Sequence, residues 1–149
     1  MKIMTYEEYL KENEEMTYRF KGVSMLPLLK QGRDLFTVRA KKPGERFQRT
    51  DVILYRRGSD YVLHRITKVL PDGHYVILGD NCINYEYNTV DDDILGVMIA
   101  FNRKGKNISV DNFFYRIYAN LRVTLAPLRI FRCKVIAKLK RIAKKILRR

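Results

Sequence analysis

The chain has 149 residues, of which 46% are hydrophobic and 31% charged. That is enough for one modest core and excludes a collagen-like, low-complexity or disordered chain. The net charge of +14 is uneven: residues 1–111 hold 18 Lys/Arg against 16 Asp/Glu, and residues 112–149 hold 12 Lys/Arg and no acid. The body is therefore near neutral, and any anionic partner belongs to the tail.

Taken in chain order, residues 5–16 predict a short helix, with Thr5 and Glu8 spaced for a capping box. The N-terminal stretch has no apolar segment of the kind a secretory leader needs, and none is expected. Residues 17–23 alternate as a strand. Pro27 then disfavours a helix through Leu26 and predicts a turn.

Further strands are predicted at 35–39, 51–56, 61–69, 74–78 and 94–101, with Pro71-Asp72-Gly73 as a hairpin turn. Asp91-Asp92-Asp93 reads as a solvated acidic turn. Many short strands separated by turns imply a mostly β, antiparallel, compact domain. The longest apolar stretch, 94–101, is far below the roughly 20 residues of a bilayer-spanning helix, so no transmembrane segment is expected.

The tail predicts helices divided at Pro127. Phe113, Ile117 and Leu121 recur at helical spacing, and Leu128, Phe131, Val135, Leu139, Ile142 and Ile146 form a stripe among lysines and arginines. The division expected is a helix over 1–16, a β-domain over 17–111 and a basic amphipathic tail over 112–149. Residues 127–149 suit a helix lying on an anionic membrane surface. The segment 112–126 can instead pack on the body. Nucleic acid is not expected as a partner, since few aromatics interleave with the basic residues. Cys82 and Cys133 fit neither a zinc site nor a disulfide framework. They read as free thiols of a reducing compartment, and no cofactor or metal is expected.

Ser24 follows Gly22-Val23 at a strand-to-turn junction. Glycine there lets the backbone approach a substrate. A lone serine in such a place is ordinarily structural. His64 lies in Tyr61-Val62-Leu63-His64-Arg65-Ile66, where alternation puts Val62, His64 and Ile66 on one face and Leu63 and Arg65 on the other. Read locally it is a buried core histidine. It is also the side chain best suited to take a serine proton near neutral pH. Gly79-Asp80-Asn81 alone is an ordinary turn at a strand end.

Taken together, four segments resemble the ordered boxes of the signal peptidase I family. Gly22-Val23-Ser24-Met25-Leu26-Pro27, running on to Gly32 and Asp34, resembles the nucleophile box. Val62-Leu63-His64-Arg65-Ile66 resembles the general-base box. Gly79-Asp80-Asn81 and Ile94-Leu95-Gly96-Val97 resemble the third box and the closing strand. The resemblance covers residues 17–101. It includes the fold shared with self-cleaving repressors, although the sixteen residues before it leave no room for a DNA-binding domain.

The bacterial branch uses a lysine base, and His64 matches the archaeal and endoplasmic-reticulum branch instead. The resemblance implies a serine endopeptidase acting by acyl transfer on a peptide or protein substrate, removing a leader or signal segment. Ser24 would be the nucleophile, His64 the base, and Glu86 or Asp80 the carboxylate that orients it. The Ser24 backbone would hold the oxyanion, with Gly22, Val23, Met25 and Leu26 lining the substrate site. The peptide would lie extended beside the strand leading to Ser24. Small residues would be preferred at the first and third positions before the cut. A non-catalytic peptide-binding module on the same fold, or nucleic-acid binding through the tail, are the alternatives. The expected place is the cytoplasm, peripheral on the inner face of the membrane.

Overall fold

A computed structural model describes residues 4–148. The helix α1 (Tyr6–Asn13) starts with the expected capping box: Thr5 Oγ1 accepts from Glu8 N, and Glu8 accepts from Thr5 N at 2.9 Å. It ends earlier than predicted. Glu14 takes a positive φ of 61°, which reverses the chain into β1 (Glu15–Arg19). The strand expected at 17–23 is thus shifted, because Met16 turns inward opposite Val38. Residues 20–34 form the loop and turns that carry Ser24.

Seven more strands follow: β2 (Leu35–Ala40), β3 (Val52–Arg57), β4 (Asp60–Val69), β5 (Tyr75–Leu78), β6 (Glu86–Thr89), β7 (Ile94–Arg103) and β8 (Lys106–Ser109). Two helices, α2 (Phe113–Thr124) and α3 (Ala126–Leu147), close the chain. The sheet runs β1-β2-β7-β3-β4-β5-β6, with β8 added to β7, and every pairing is antiparallel. The protein is therefore a compact, mostly antiparallel eight-stranded fold with three α-helices. The Asp91–Asp93 turn is a short 3₁₀ segment and not a merely solvated one. Asp91 pairs with Arg46 and accepts from the Tyr75 hydroxyl at 2.6 Å.

The strands at the centre are buried on both sides, which is why they read as apolar runs more than as alternation. In β3, Val52 and Leu54 join a core that includes Met16, Met25, Leu29, Val38, Met98 and Ala119. Ile53 and Tyr55 face a second core with Ile66, Tyr75, Ile77 and Val97. The predicted split of β4 holds: Leu63 belongs to the first core and Ile66 to the second. Burying these side chains stabilises the fold by about 1.5–3 kcal/mol each.

In α2 the residues that pack on the body are Tyr115, Ala119 and Val123, and the Phe113-Ile117-Leu121 side is exposed. Only Ala126 and Ile130 of α3 are buried, beside Leu78. From Lys134 to Arg148 every residue is exposed. Among the described residues, no helix is long and apolar enough to cross a membrane.

Candidate active site

The turn that carries Ser24 needs its glycine. Gly22 has φ of 91°, a conformation that L side chains rarely adopt, and its N–H donates to Gln31 Oε1 at 2.7 Å. Asp34 braces the far end of the loop. Its fully buried carboxylate accepts from Lys30 N at 2.8 Å and pairs with Arg33 at 2.7 Å. The Arg33 guanidinium holds the Asp34 carboxyl down at about 2. Ser24 lies half-buried within this braced turn.

The β3–β4 hairpin positions His64. Its two-residue turn pairs Arg57 with Asp60, which sets Tyr55 opposite Val62 and Ile53 opposite His64. Tyr55 and His64 therefore sit diagonally on one face, within reach of each other. The Tyr55 hydroxyl is 3.3 Å from His64 Nδ1 and donates to Glu86 Oε2 at 2.9 Å. Glu86 Oε1 lies 3.5 Å from Nδ1 and accepts from Arg57 Nη1 at 2.9 Å. His64 is only 5% exposed. Burial pushes its imidazole below the ordinary value, Glu86 opposes that shift, and Arg57 adds to it. Burial and the adjoining Glu86 hold the Tyr55 hydroxyl far above its usual range, so it stays protonated.

One consequence is the tautomer. Because Tyr55 O–H donates to Glu86, a hydrogen bond across the 3.3 Å contact requires the tautomer with Nδ1–H as donor and the tyrosine oxygen as acceptor. The Nε2 lone pair is left free. Nε2 lies beside Gly79, where a Cβ would come within 2.9 Å of Nε2, 2.8 Å of the Ser24 carbonyl oxygen and 2.7 Å of Cys82 Sγ. The serine turn and the imidazole thus meet across one absent methyl group. No hydrogen bond joins the Ser24 hydroxyl to Nε2 among the described residues. Contacts of this kind commonly tighten only when a substrate is bound.

The loop after β5 stitches the two halves. Asn81 N donates to Ser24 O at 2.7 Å, and Asn81 Nδ2 to Val23 O at 3.2 Å. Asp80 itself turns away from the base. Its carboxylate is gripped by Arg65 in two bonds of 2.7 and 2.8 Å and by the Tyr118 hydroxyl at 2.8 Å, with both members of the ion pair 1% exposed. Of the two carboxylates expected near His64, Glu86 is in place, while Asp80 joins the helix α2 to the sheet.

The expected substrate-site residues divide as well. Val23 is 63% exposed and Leu26 is half-buried, but Met25 is fully buried in the first core and lines no open surface. The resemblance implied a substrate pocket for it, and its apolar side chain serves a core equally well. An open cleft of about 530 Å³ adjoins His64, lined also by Arg57, Asn81, Cys82, Tyr85 and Glu86. A cleft of about 440 Å³ between α1 and β7, around Leu10 and Leu95, brings together no nucleophile and base. β1 stands at the end of the strand order, with no further strand on its outer side among the described residues.

Tyr55, Arg57 and Arg65 are absent from the sequence-derived set. The hairpin register would have found Tyr55. A buried arginine beside His64 on the opposite face would have called for a buried acid such as Asp80. Both cysteines are free, and burial raises the Cys82 thiol. Among the described residues no group of three or more His, Cys, Asp or Glu side chains is placed to hold a metal ion. No known family model matches this chain, and no curated protein matches it.

Proposed function

We propose that this chain is a serine endopeptidase of the signal peptidase type, cutting a leader or signal segment from a peptide or protein by acyl transfer. The observation that carries the reading is the setting of His64, with Nδ1 beside the Tyr55 hydroxyl and Glu86 and Nε2 beside Gly79 next to the Ser24 carbonyl. A buried, neutral imidazole with Nδ1–H tied to Tyr55 and Glu86 offers its Nε2 lone pair to the turn that holds Ser24. The signal peptidase-like fold is part of the same proposal.

In the reaction, Ser24 Oγ attacks the scissile carbonyl carbon while its proton passes to His64 Nε2. Glu86, held by Arg57, stabilises the imidazolium that forms. The developing oxyanion is met by backbone N–H groups, that of Ser24 among them. His64 then returns the proton to the leaving amine, and water releases the acyl group by the same route. Val23 and Leu26 face the substrate, with small side chains favoured at the first and third positions before the cut.

Two experiments test this. A serine-directed covalent probe should label Ser24 and not the Ser24→Ala variant. Ser24→Ala and His64→Ala should each lower kcat/KM by at least about 10³-fold, and the double variant should be hardly worse than either, because the pair acts as a unit. Near-normal turnover by His64→Ala would exclude the mechanism. Loss of labelling together with unchanged peptide affinity would leave a binding module.

A further inference from the structure

The side of α2 that faces away from the body is as apolar as the side that packs on it. Phe113, Phe114 and Leu121 are 69%, 78% and 53% exposed, while Tyr115, Ala119 and Val123 of the same helix are buried. The exposed side does not stop at Pro127. Leu125 N bonds to Leu121 O at 2.9 Å and Arg129 N to Leu125 O at 3.0 Å, so Leu125 closes α2 and opens α3 with no loop between them. Leu128 and Phe131, each 66% exposed, extend the apolar side, and Leu139 and Ile146 carry it to the end of the chain. With Ile117, Leu125, Val135 and Ile142 between them, the side chains from Phe113 through Leu121, Leu128, Phe131 and Leu139 to Ile146 step by three or four residues, which keeps those of each helix on one flank. The ridge therefore begins at Phe113 rather than at residue 127, and its first part is clamped to the folded body.

We infer that this ridge is a docking face for an anionic lipid surface, with α2 and α3 lying along the interface. Charge decides the occupant. Residues 112–149 hold twelve basic residues and no acid; Arg122 and Arg129 reach back to the body, and each basic residue left in solvent is worth about a fivefold gain in partition near anionic headgroups. A second copy would set one cationic arm against another with no acid to match it. A nucleic acid would use the charges and leave the aliphatic ridge in water. Long lysine and arginine stems can rise from the interface while the ridge sinks into it. The inference stands on the helices alone and is read by partition, not by proteolysis.

The test is flotation of the full-length protein with phosphatidylcholine vesicles containing about 30 mol% phosphatidylglycerol, against phosphatidylcholine alone. The protein should float with the first, weakly with the second, and less as salt rises. The variant Leu128→Ser/Phe131→Ser/Leu139→Ser removes only exposed side chains and should weaken partition by at least about tenfold. The variant Lys138→Gln/Lys140→Gln/Lys144→Gln/Lys145→Gln should weaken it by about a hundredfold or more. The inference is overturned if the wild type does not float. It is also overturned if the apolar variant floats unchanged while the charge variant fails, since the arm is then only a polycation of the kind nucleic acid needs. Sedimentation showing a dimer that the three serine substitutions dissolve would give the ridge to a second copy and overturn it too.

Discussion

His64 is set between a carboxylate that favours its charged form and a guanidinium that opposes it, so the pH profile should move in opposite directions when each is removed. Burial already lowers the imidazole below its ordinary value of 6.5. A base must be unprotonated to act, so the acid limb of kcat/KM should fall below pH 6.5. Glu86→Gln should move that limb to still lower pH while reducing kcat. Arg57→Gln should move it to higher pH. A limb that stays fixed in both variants would show that another group titrates. The same shift bears on stability. Between the folded and unfolded values the unfolded chain holds the proton and the folded one does not, so stability falls as pH drops below 6.5. At this scale the positions of Ser24 at a turn and of His64 on one strand face were legible from local spacing, and the roles proposed for them came from the resemblance. The choice between Glu86 and Asp80 was not legible. It depends on which carboxylate Arg65 claims, a contact fifteen residues away across the sheet.

The elements are locked by that same contact. Arg65 of β4 grips Asp80 and donates to Thr50 O at 2.9 Å and to the Tyr115 hydroxyl at 3.1 Å, so one guanidinium joins the sheet, the loop after β5 and α2. Arg65 also lies over the Tyr115 and Tyr118 rings, 5.7 Å from each centroid. Removing one partner leaves a buried charge unpaired. Asp80→Asn should therefore destabilise the protein by about 3–5 kcal/mol, seen as a lower midpoint in urea unfolding. The paired change Arg65→Met with Asp80→Leu should recover part of the loss, because both charges then leave together. Recovery of nothing would mean that shape, not charge, governs the site. Six strands and the helices were legible from period and turns. β6 and β8 were not: Glu86-Tyr87-Asn88-Thr89 and Lys106-Asn107-Ile108-Ser109 are short, polar, outlying strands held by backbone pairing. Pairing of that kind leaves no apolar alternation to read.

At the scale of the molecule, the body and the arm separate at Cys133. From Lys134 to Arg148 every residue is exposed, so a chain ending at Cys133 should keep its Tm within about 2 °C. A chain ending at Ala126 should lose more. It gives up buried Ile130 and the bond from Arg129 to the Cys82 carbonyl, worth about 2–3 kcal/mol together. Equal melting of the two chains would refute this boundary. The charge asymmetry and the amphipathic period of the tail were plain in the sequence. Which flank of α2 would meet the body was not, since Phe113-Ile117-Leu121 and Tyr115-Ala119-Val123 have the same period. Only the polar reach of Tyr115 and Tyr118 to Arg65 and Asp80 settles it. The free arm has one more consequence. A near-neutral body with a cationic rod on one end is a strong electric dipole, and a dipole turns in a field before it touches anything. Approach to any negative surface is then arm-first, and salt should slow arrival far more than it hastens departure.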